Sequence, residues 1–149
     1  MRTTLFLVIG ALAAPAAAQD QPRYASAKDL AAKVVKLENG LATAAIPSAP
    51  GAQAIIARRD RTGEVEVHAK LADQFIVQQG TATVVIGGRV EGGRETAPDE
   101  RRGGEIIGGT PYPVGPGDVL WIPAGQPHQV VLPAGGAFTY IVAKQSKSP

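Results

Sequence analysis

Hydrophobic and polar positions alternate along most of this chain with a period of two. The segment Glu64–His68 reads polar, apolar, polar, apolar, polar, which is the pattern of a half-buried strand. Similar short runs, bounded by Gly, Pro, Asn or Asp, occur at 41–46, 52–58, 75–79, 81–86, 119–122, 130–132 and 138–143. Regularly spaced short strands with frequent turns predict an all-β sandwich or barrel with antiparallel strands.

A helical pattern occurs once, near the start of the predicted domain. Ser26 and Asp29 have the spacing of a capping box, and Leu30, Val34 and Leu37 follow at helical spacing. The Asn-Gly pair at 39–40 is a typical stop signal. The pattern predicts one short helix over residues 27–38, with its apolar stripe packed on the barrel or on a partner subunit.

The stretch 87–104 differs from the rest of the chain because it is rich in glycine and in charged residues. We predict a long exposed loop here, and loops of this length are usually functional or disordered. After it, residues 105–107 are expected to re-enter the sheet. Residues 110–114 contain two prolines and predict an edge strand.

Residues 1–18 have the features of a secretory signal peptide. Arg2 precedes an apolar run over 5–14, and three alanines at 16–18 offer small residues for cleavage. The run is too short to be a convincing membrane span, although an uncleaved anchor is the alternative. We therefore expect a secreted or periplasmic protein without a membrane attachment after cleavage.

Length and composition narrow the function classes. A length of 149 residues favours one folded domain. We divide the chain into the signal, an N-terminal segment with the helix (19–40), a barrel (41–144) and a tail (145–149). Removing the signal leaves 14 basic and 13 acidic side chains. This near balance lacks the strong positive charge that is typical of nucleic-acid-binding proteins. The absence of cysteine excludes disulfides, thiolate metal sites and thiol catalysis.

The segment 117–128 carries the most specific chemistry. It predicts a strand over 119–122, a tight turn at Pro123 and Gly125, and then His128 at the start of the next strand. The chain has one other histidine, His68, which shares a strand face with Glu66 because the two residues are two positions apart.

Asp73 opens the following strand and shares its face with Phe75. If these faces are interior, two carboxylates and two imidazoles converge inside the barrel. A buried carboxylate is costly unless it is paired or bound to a metal, so a divalent ion would account for this set. His68, His128 and Asp73 would also form a 2-His-1-carboxylate triad.

These residues resemble the two motifs of the cupin superfamily, over roughly residues 41–144. The second motif, G-x5-P-x-G-x2-H-x3-N, is matched by Gly117, Pro123, Gly125 and His128, with Leu132 in place of the final Asn. In the first motif, G-x5-H-x-H-x3,4-E-x6-G, the positions are held in order by Asp60, Glu66, His68, Asp73 and Gly80. The first motif is therefore degenerate, with Glu for one His and Asp for the Glu.

The resemblance implies a double-stranded β-helix, or jelly roll, and a metal site at Glu66, His68, Asp73 and His128. Oxygen-rich ligation favours manganese or iron, with zinc and nickel also open. The implied function is an enzyme acting on a small organic molecule, as a dioxygenase, isomerase or lyase, with Glu66 as the base if it is not a ligand. A homodimer is a further implication.

Three hypotheses stay open. The protein is a metal-dependent enzyme, a metal-free module that binds a small ligand in the same cavity, or a purely structural module. Trp121, Phe75 and Tyr140 are candidates for the ligand pocket, unless they fill the core or an interface. Lys70 is expected to be exposed, and Arg101 and Arg102 could meet an anionic substrate.

Overall fold

The computed structural model describes residues 21–49 and 51–146. The predicted signal peptide, residues 1–18, lies outside the described residues, and so do residues 147–149 of the predicted tail. Among the described residues, no helix is long and apolar enough to cross a membrane.

Within the described part of the chain there are one helix, α1 (Ala27–Lys33), and thirteen strands. The first seven strands are β1 (Leu41–Ala45), β2 (Gln53–Arg59), β3 (Glu66–His68), β4 (Leu71–Gln79), β5 (Ala82–Ile86), β6 (Arg89–Glu91) and β7 (Arg94–Ala97). The other six are β8 (Glu100–Arg102), β9 (Glu105–Ile107), β10 (Thr110–Val114), β11 (Val119–Ile122), β12 (His128–Val131) and β13 (Phe138–Ser146). The all-β prediction with one short N-terminal helix is confirmed.

Two large antiparallel sheets form the barrel. One has five strands in the order β1-β2-β13-β4-β11, and the other has six strands in the order β10-β5-β12-β3-β8-β7. A separate pair, β6 and β9, makes a small ribbon. β10 pairs only with β5 and forms an edge of its sheet, as its two prolines predict.

The core lies between the two large sheets, because both contribute inward side chains to one apolar cluster. Phe138 and Val84, from opposite sheets, are fully buried. The cluster comprises Ala57, Phe75, Val77, Ala82, Val84, Val114, Ile122, Val130, Leu132, Phe138, Tyr140 and Val142. On each strand these residues occur at alternate positions, so the period-two pattern decides which side chains face the interior.

The helix is shorter than predicted: α1 ends at Lys33 rather than near residue 38. Its capping box is present, with Ser26 and Asp29 bonded reciprocally. Val34 leaves the helical conformation and is buried against Ala42 and Ile56 on the outer side of the five-stranded sheet. The Asn-Gly pair serves as the turn of a tight hairpin rather than as the helix stop, because both residues have positive φ and lie between the bridged residues 38 and 41.

The prediction of a long exposed loop over 87–104 is wrong. The stretch forms β6, β7 and β8, and β8 joins the six-stranded sheet beside β3. Paired glycines at 87–88, 92–93 and 103–104, all with positive φ, supply its sharp turns. The sequence pattern does not predict these short strands, because their residues are mostly charged and do not form an alternating apolar face.

Gly80 provides a test of the packing at the β4–β5 turn. A Cβ built on Gly80 (φ +76°) would lie 1.9 Å from the carbonyl oxygen of Ala137, whereas one on Gly135 (φ +70°) would meet nothing within 4 Å. We expect Gly135→Ala to lower the free energy of unfolding by about 1–2 kcal/mol through backbone strain alone. Gly80→Ala should cost about 2–5 kcal/mol, because overpacking is added to the strain.

Urea unfolding of both variants measures the difference. Equal losses of stability would show that β4 and the start of β13 do not approach each other as closely as described.

Candidate functional site

The turn at 123–127 holds His128 against β3. Pro123 ends β11, and Gly125 takes the left-handed conformation with φ +82°. The amide of Gly125 donates a 2.8 Å hydrogen bond to the carbonyl oxygen of His68. The chain then enters β12, where His128 lies opposite Glu66. The corner therefore brings the two histidines together, with ring centroids 5.3 Å apart.

β3 and β8 contribute two cross-strand pairs to the same inward face. Glu66 lies opposite Arg102, and His68 lies opposite Glu100. The Arg102 guanidinium is 2.7 Å from the Glu66 carboxylate. The Nδ1 of His68 is 2.6 Å from Oε2 of Glu100, which fixes the ring and leaves Nε2 directed into the barrel.

Asp73 reaches the same place from the opposite sheet. It is 3% exposed, and its Oδ2 lies 3.4 Å from Nε2 of His68 and 3.8 Å from Nε2 of His128. Its other oxygen, Oδ1, accepts a 2.8 Å hydrogen bond from Nζ of Lys144, the residue directly opposite on β13. The four predicted site residues therefore do converge inside the barrel.

A third cation, Arg59, supports the site from β2. Its Nη2 donates a 3.0 Å hydrogen bond to Oε1 of Glu66, and its Nε donates another of 3.0 Å to the Tyr140 hydroxyl. No buried side-chain polar atom among the described residues lacks a hydrogen-bond partner. The polar cluster is thus internally satisfied, which is the condition for burying it.

A cavity of about 300 Å³ adjoins this cluster. His128 lies behind its wall, and the members of the cluster that line it are Arg59, Glu66, His68, Asp73, Glu100, Arg102 and Lys144. The remaining wall is largely apolar and includes Leu41, Ile55, Leu71, Phe75, Tyr140 and Val142. A cavity that combines an apolar wall with a few convergent polar groups is typical of a small-molecule site. Of the predicted pocket residues, Phe75 and Tyr140 are on this wall.

Trp121 is not on the cavity wall, so its prediction as a pocket residue is wrong. It is 47% exposed, whereas its neighbour Ile122 is 1% exposed. Adjacent residues of a strand face opposite sides, so the inward position of Ile122 sends Trp121 outward. Lys70 is also exposed, as expected, and pairs with Asp99.

Comparisons with known proteins agree with this architecture. Residues 75–146 match the family described as the AraC-like ligand binding domain, a range that includes His128 and begins just after Asp73. No curated protein is significantly similar in sequence.

Solved structures match most of the chain. A double-stranded β-helix protein from Klebsiella pneumoniae has a TM-score of 0.59 at 12% identity, over 87% of this chain and 100% of that one. The Schizosaccharomyces pombe Cnp3 cupin domain has a TM-score of 0.55 at 13% identity, over 76% and 69%. A predicted oxalate decarboxylase from Thermotoga maritima has a TM-score of 0.51 at 10% identity, over 72% and 81%.

The chain has the cupin fold. Identities this low show the fold and carry no argument about activity. What this cupin does therefore depends on its own side chains.

The environment shifts the acid–base behaviour of the two histidines in opposite directions. Burial would lower the pKa of His68, but hydrogen bonds to Asp73 and Glu66 outweigh it and raise that pKa to about 9, against the repulsion of Lys144. Burial lowers the pKa of His128, which lies deeper in the barrel.

The two carboxyl groups have lowered pKa values despite burial, which alone would raise them. Hydrogen bonding to His68 and the charges of Arg102 and Arg59 lower the pKa of Glu66. Hydrogen bonds from His68 and Lys144 lower the pKa of Asp73. Both groups are therefore ionised at neutral pH.

Three of the converging residues fit a divalent metal ion. Glu66, His68 and His128 each offer one ligand atom, and these atoms lie within 4.8 Å of one another. The Oε2 of Glu66 is 3.6 Å from Nε2 of His68, close to the separation of about 3.4 Å between tetrahedral ligands at about 2.1 Å from an ion. Each imidazole is also held through its Nδ1, by Glu100 or by the carbonyl of Gln126, as metal-binding histidines commonly are.

Three residues of the site were missed as members of it: Arg59, Glu100 and Lys144. Arg102, a candidate to meet an anionic substrate, does line the cavity. A signal for Lys144 is present, because the period-two series Phe138, Tyr140, Val142 places it inward. Glu100 and Arg102 are two residues apart, like Glu66 and His68, with charges complementary to theirs. Their strand lay hidden in the stretch interpreted as a loop.

The opposite shifts of the histidines give a direct test on metal-free protein. We expect the His68 ring to stay protonated until about pH 9, while the His128 ring stays neutral at neutral pH. Because the pKa of His68 is raised from about 6.5, its contribution to stability is present below about pH 6.5 and is lost as the pH rises through about 9.

Titration of the imidazole NMR signals, assigned with a His128→Gln variant, measures both groups. Two histidines that titrate together near pH 6.5 would contradict the described contacts.

Proposed function

We propose that this cupin binds a divalent metal ion through Glu66, His68 and His128, and holds a small organic molecule against it as an enzyme. The observation that supports this most directly is the convergence of three ligand atoms within 4.8 Å, from residues of which Glu66 and His68 line the cavity. The ring orientation by Glu100 and Gln126 supports it further.

The charges around the cavity indicate the class of ligand. Three carboxylates and three permanent cations line it: Glu66, Asp73, Glu100, Arg59, Arg102 and Lys144. These six charges balance and His68 would be neutral as a metal ligand, so an added divalent ion would leave the site positive. We therefore infer an anionic substrate, such as a small carboxylate, with its apolar part on the wall formed by Leu41, Ile55 and Val142.

Individual residues have distinct roles in this proposal. A bound divalent ion would supply Lewis-acid polarisation of a substrate oxygen, which suits an isomerase, a lyase or a dioxygenase. Glu66 is a poor candidate for the base, because Arg59 and Arg102 hold it ionised with a lowered pKa. Arg59 also orients the Tyr140 hydroxyl at the cavity wall.

A second candidate is a metal-free binding module for the same class of ligand. The balance of charges favours it, because the buried carboxylates are already neutralised by Arg59, Arg102 and Lys144. In that case the cavity binds an anion without catalysis.

Isothermal titration of chelator-treated protein with Mn²⁺ and Zn²⁺ distinguishes the two. The metal-dependent proposal predicts one bound ion per chain. Glu66→Gln and His128→Ala should each weaken metal binding by more than the about 10- to 100-fold that is typical when a residue bonded to a metal ligand is replaced. Glu105→Gln, at an exposed carboxylate, is the matched control and should bind normally.

Failure of the wild-type protein to bind either ion would overturn the metal proposal. A small carboxylate that still raises the Tm in the presence of chelator would then support the metal-free module.

We further propose that the protein is exported, because residues 1–18 combine Arg2, an apolar run and small residues before Gln19. The intact mass of protein recovered from a periplasmic or secreted fraction should correspond to a chain starting near Gln19. Full-length protein confined to the cytoplasm would contradict this.

A further inference from the structure

Lys144 places a fixed positive charge among the candidate metal ligands. It lies on β13 directly opposite Asp73, on the inward face that also carries Tyr140 and Val142. Its side chain is 20% exposed, and its Nζ is 2.8 Å from Oδ1 of Asp73 and 3.3 Å from Nε2 of His68. The ammonium is therefore part of the polar cluster and not a surface charge.

The position of this ammonium bears on the same nitrogen that a metal ion would use. Glu100 holds Nδ1 of His68, so Nε2 is the nitrogen directed into the cavity. Lys144 approaches that atom from the cavity side. A metal ion at Nε2 and the Lys144 ammonium would repel each other over a few ångströms in a poorly screened site.

Lys144 also bonds to Asp73, the fourth of the predicted ligand residues. Oδ2 of Asp73 lies 3.4 Å and 3.8 Å from the Nε2 atoms of His68 and His128, which are separations suited to a shared ion. Oδ1 of the same carboxylate accepts the hydrogen bond from Lys144, so the ammonium lies one carboxylate away from the position that an ion would take.

We infer that Lys144 lowers the metal affinity of this site, because its ammonium lies beside Nε2 of His68 and shares the Asp73 carboxylate with the ion. This inference rests on the proposed metal function and goes beyond it. When Lys144 is removed, the repulsion of the ion is lost and the Asp73 carboxylate is no longer shared with an ammonium, so the affinity rises.

The test compares Lys144→Met with wild type by isothermal titration with Mn²⁺ and with Zn²⁺. Met keeps the length and apolar stem of Lys without its charge. We expect binding to tighten by about 10- to 100-fold, the range typical of changes beside a metal ligand. Lys70→Met, at an exposed lysine paired with Asp99, is the control and should leave the affinity unchanged.

A double variant identifies the contribution of Asp73. Lys144→Met combined with Asp73→Asn should lose most of the gain, because the negative charge that faces both imidazoles is no longer present. Should Lys144→Met fail to fold, Lys144→Gln takes its place, since Gln removes the charge but retains a donor for Asp73.

The outcomes separate this inference from the proposed function. Wild-type binding with unchanged affinity in both Lys144 variants overturns the inference and leaves the metal function standing. Absence of binding in wild type with binding in a Lys144 variant supports the inference and shows that Lys144 suppresses metal uptake. Absence of binding in every variant overturns both.

Discussion

Burial of ionised carboxylates inside the barrel is the constraint on which this structure depends. Glu66 and Asp73 face the interior, where an unpaired charge would be prohibitively costly. Arg59 and Arg102 approach Glu66, and Lys144 approaches Asp73. Breaking one such pair leaves a buried charge uncompensated, which typically costs about 3–5 kcal/mol. The cations are therefore as necessary to the barrel as the apolar residues around them.

This cluster exists because strands of both sheets obey the same period of two. Alternate positions of β3, β8 and β13 bring carboxylates, cations and an imidazole together inside the barrel, while the rest of the inward face of β13 is apolar. The turn at 123–127 fixes the position of β12 along β3, because the amide of Gly125 donates a hydrogen bond to the carbonyl oxygen of His68. A one-residue slip of any of these strands would send its charges outward and dismantle the site.

The sequence was sufficient to predict the barrel, the edge strand β10 and the inward direction of Glu66, His68, Asp73 and His128. Those predictions rest on alternation and on two spaced motifs, which are local properties. Arg102 and Glu100 were placed in a loop because a short charged strand has no apolar alternation, and its pairing with β3 is a long-range contact. The helix end was misplaced because the burial of Val34 depends on the outer face of β1 and β2. Trp121 shows the limit of residue type as a guide, since only strand phase decides its outward direction.

The same cations that make the carboxylates tolerable also govern what else can enter. The buried carboxylates are already paired with cations and have no electrostatic need of a metal ion. Yet both imidazoles are held through Nδ1, as metal-binding histidines commonly are. The most direct measurement is anomalous diffraction from crystals soaked in Mn²⁺ or Zn²⁺. We predict one strong peak within bonding distance of Glu66, His68 and His128. Saturated crystals with no peak there, or with peaks only at surface acids, would contradict a metal site in this barrel.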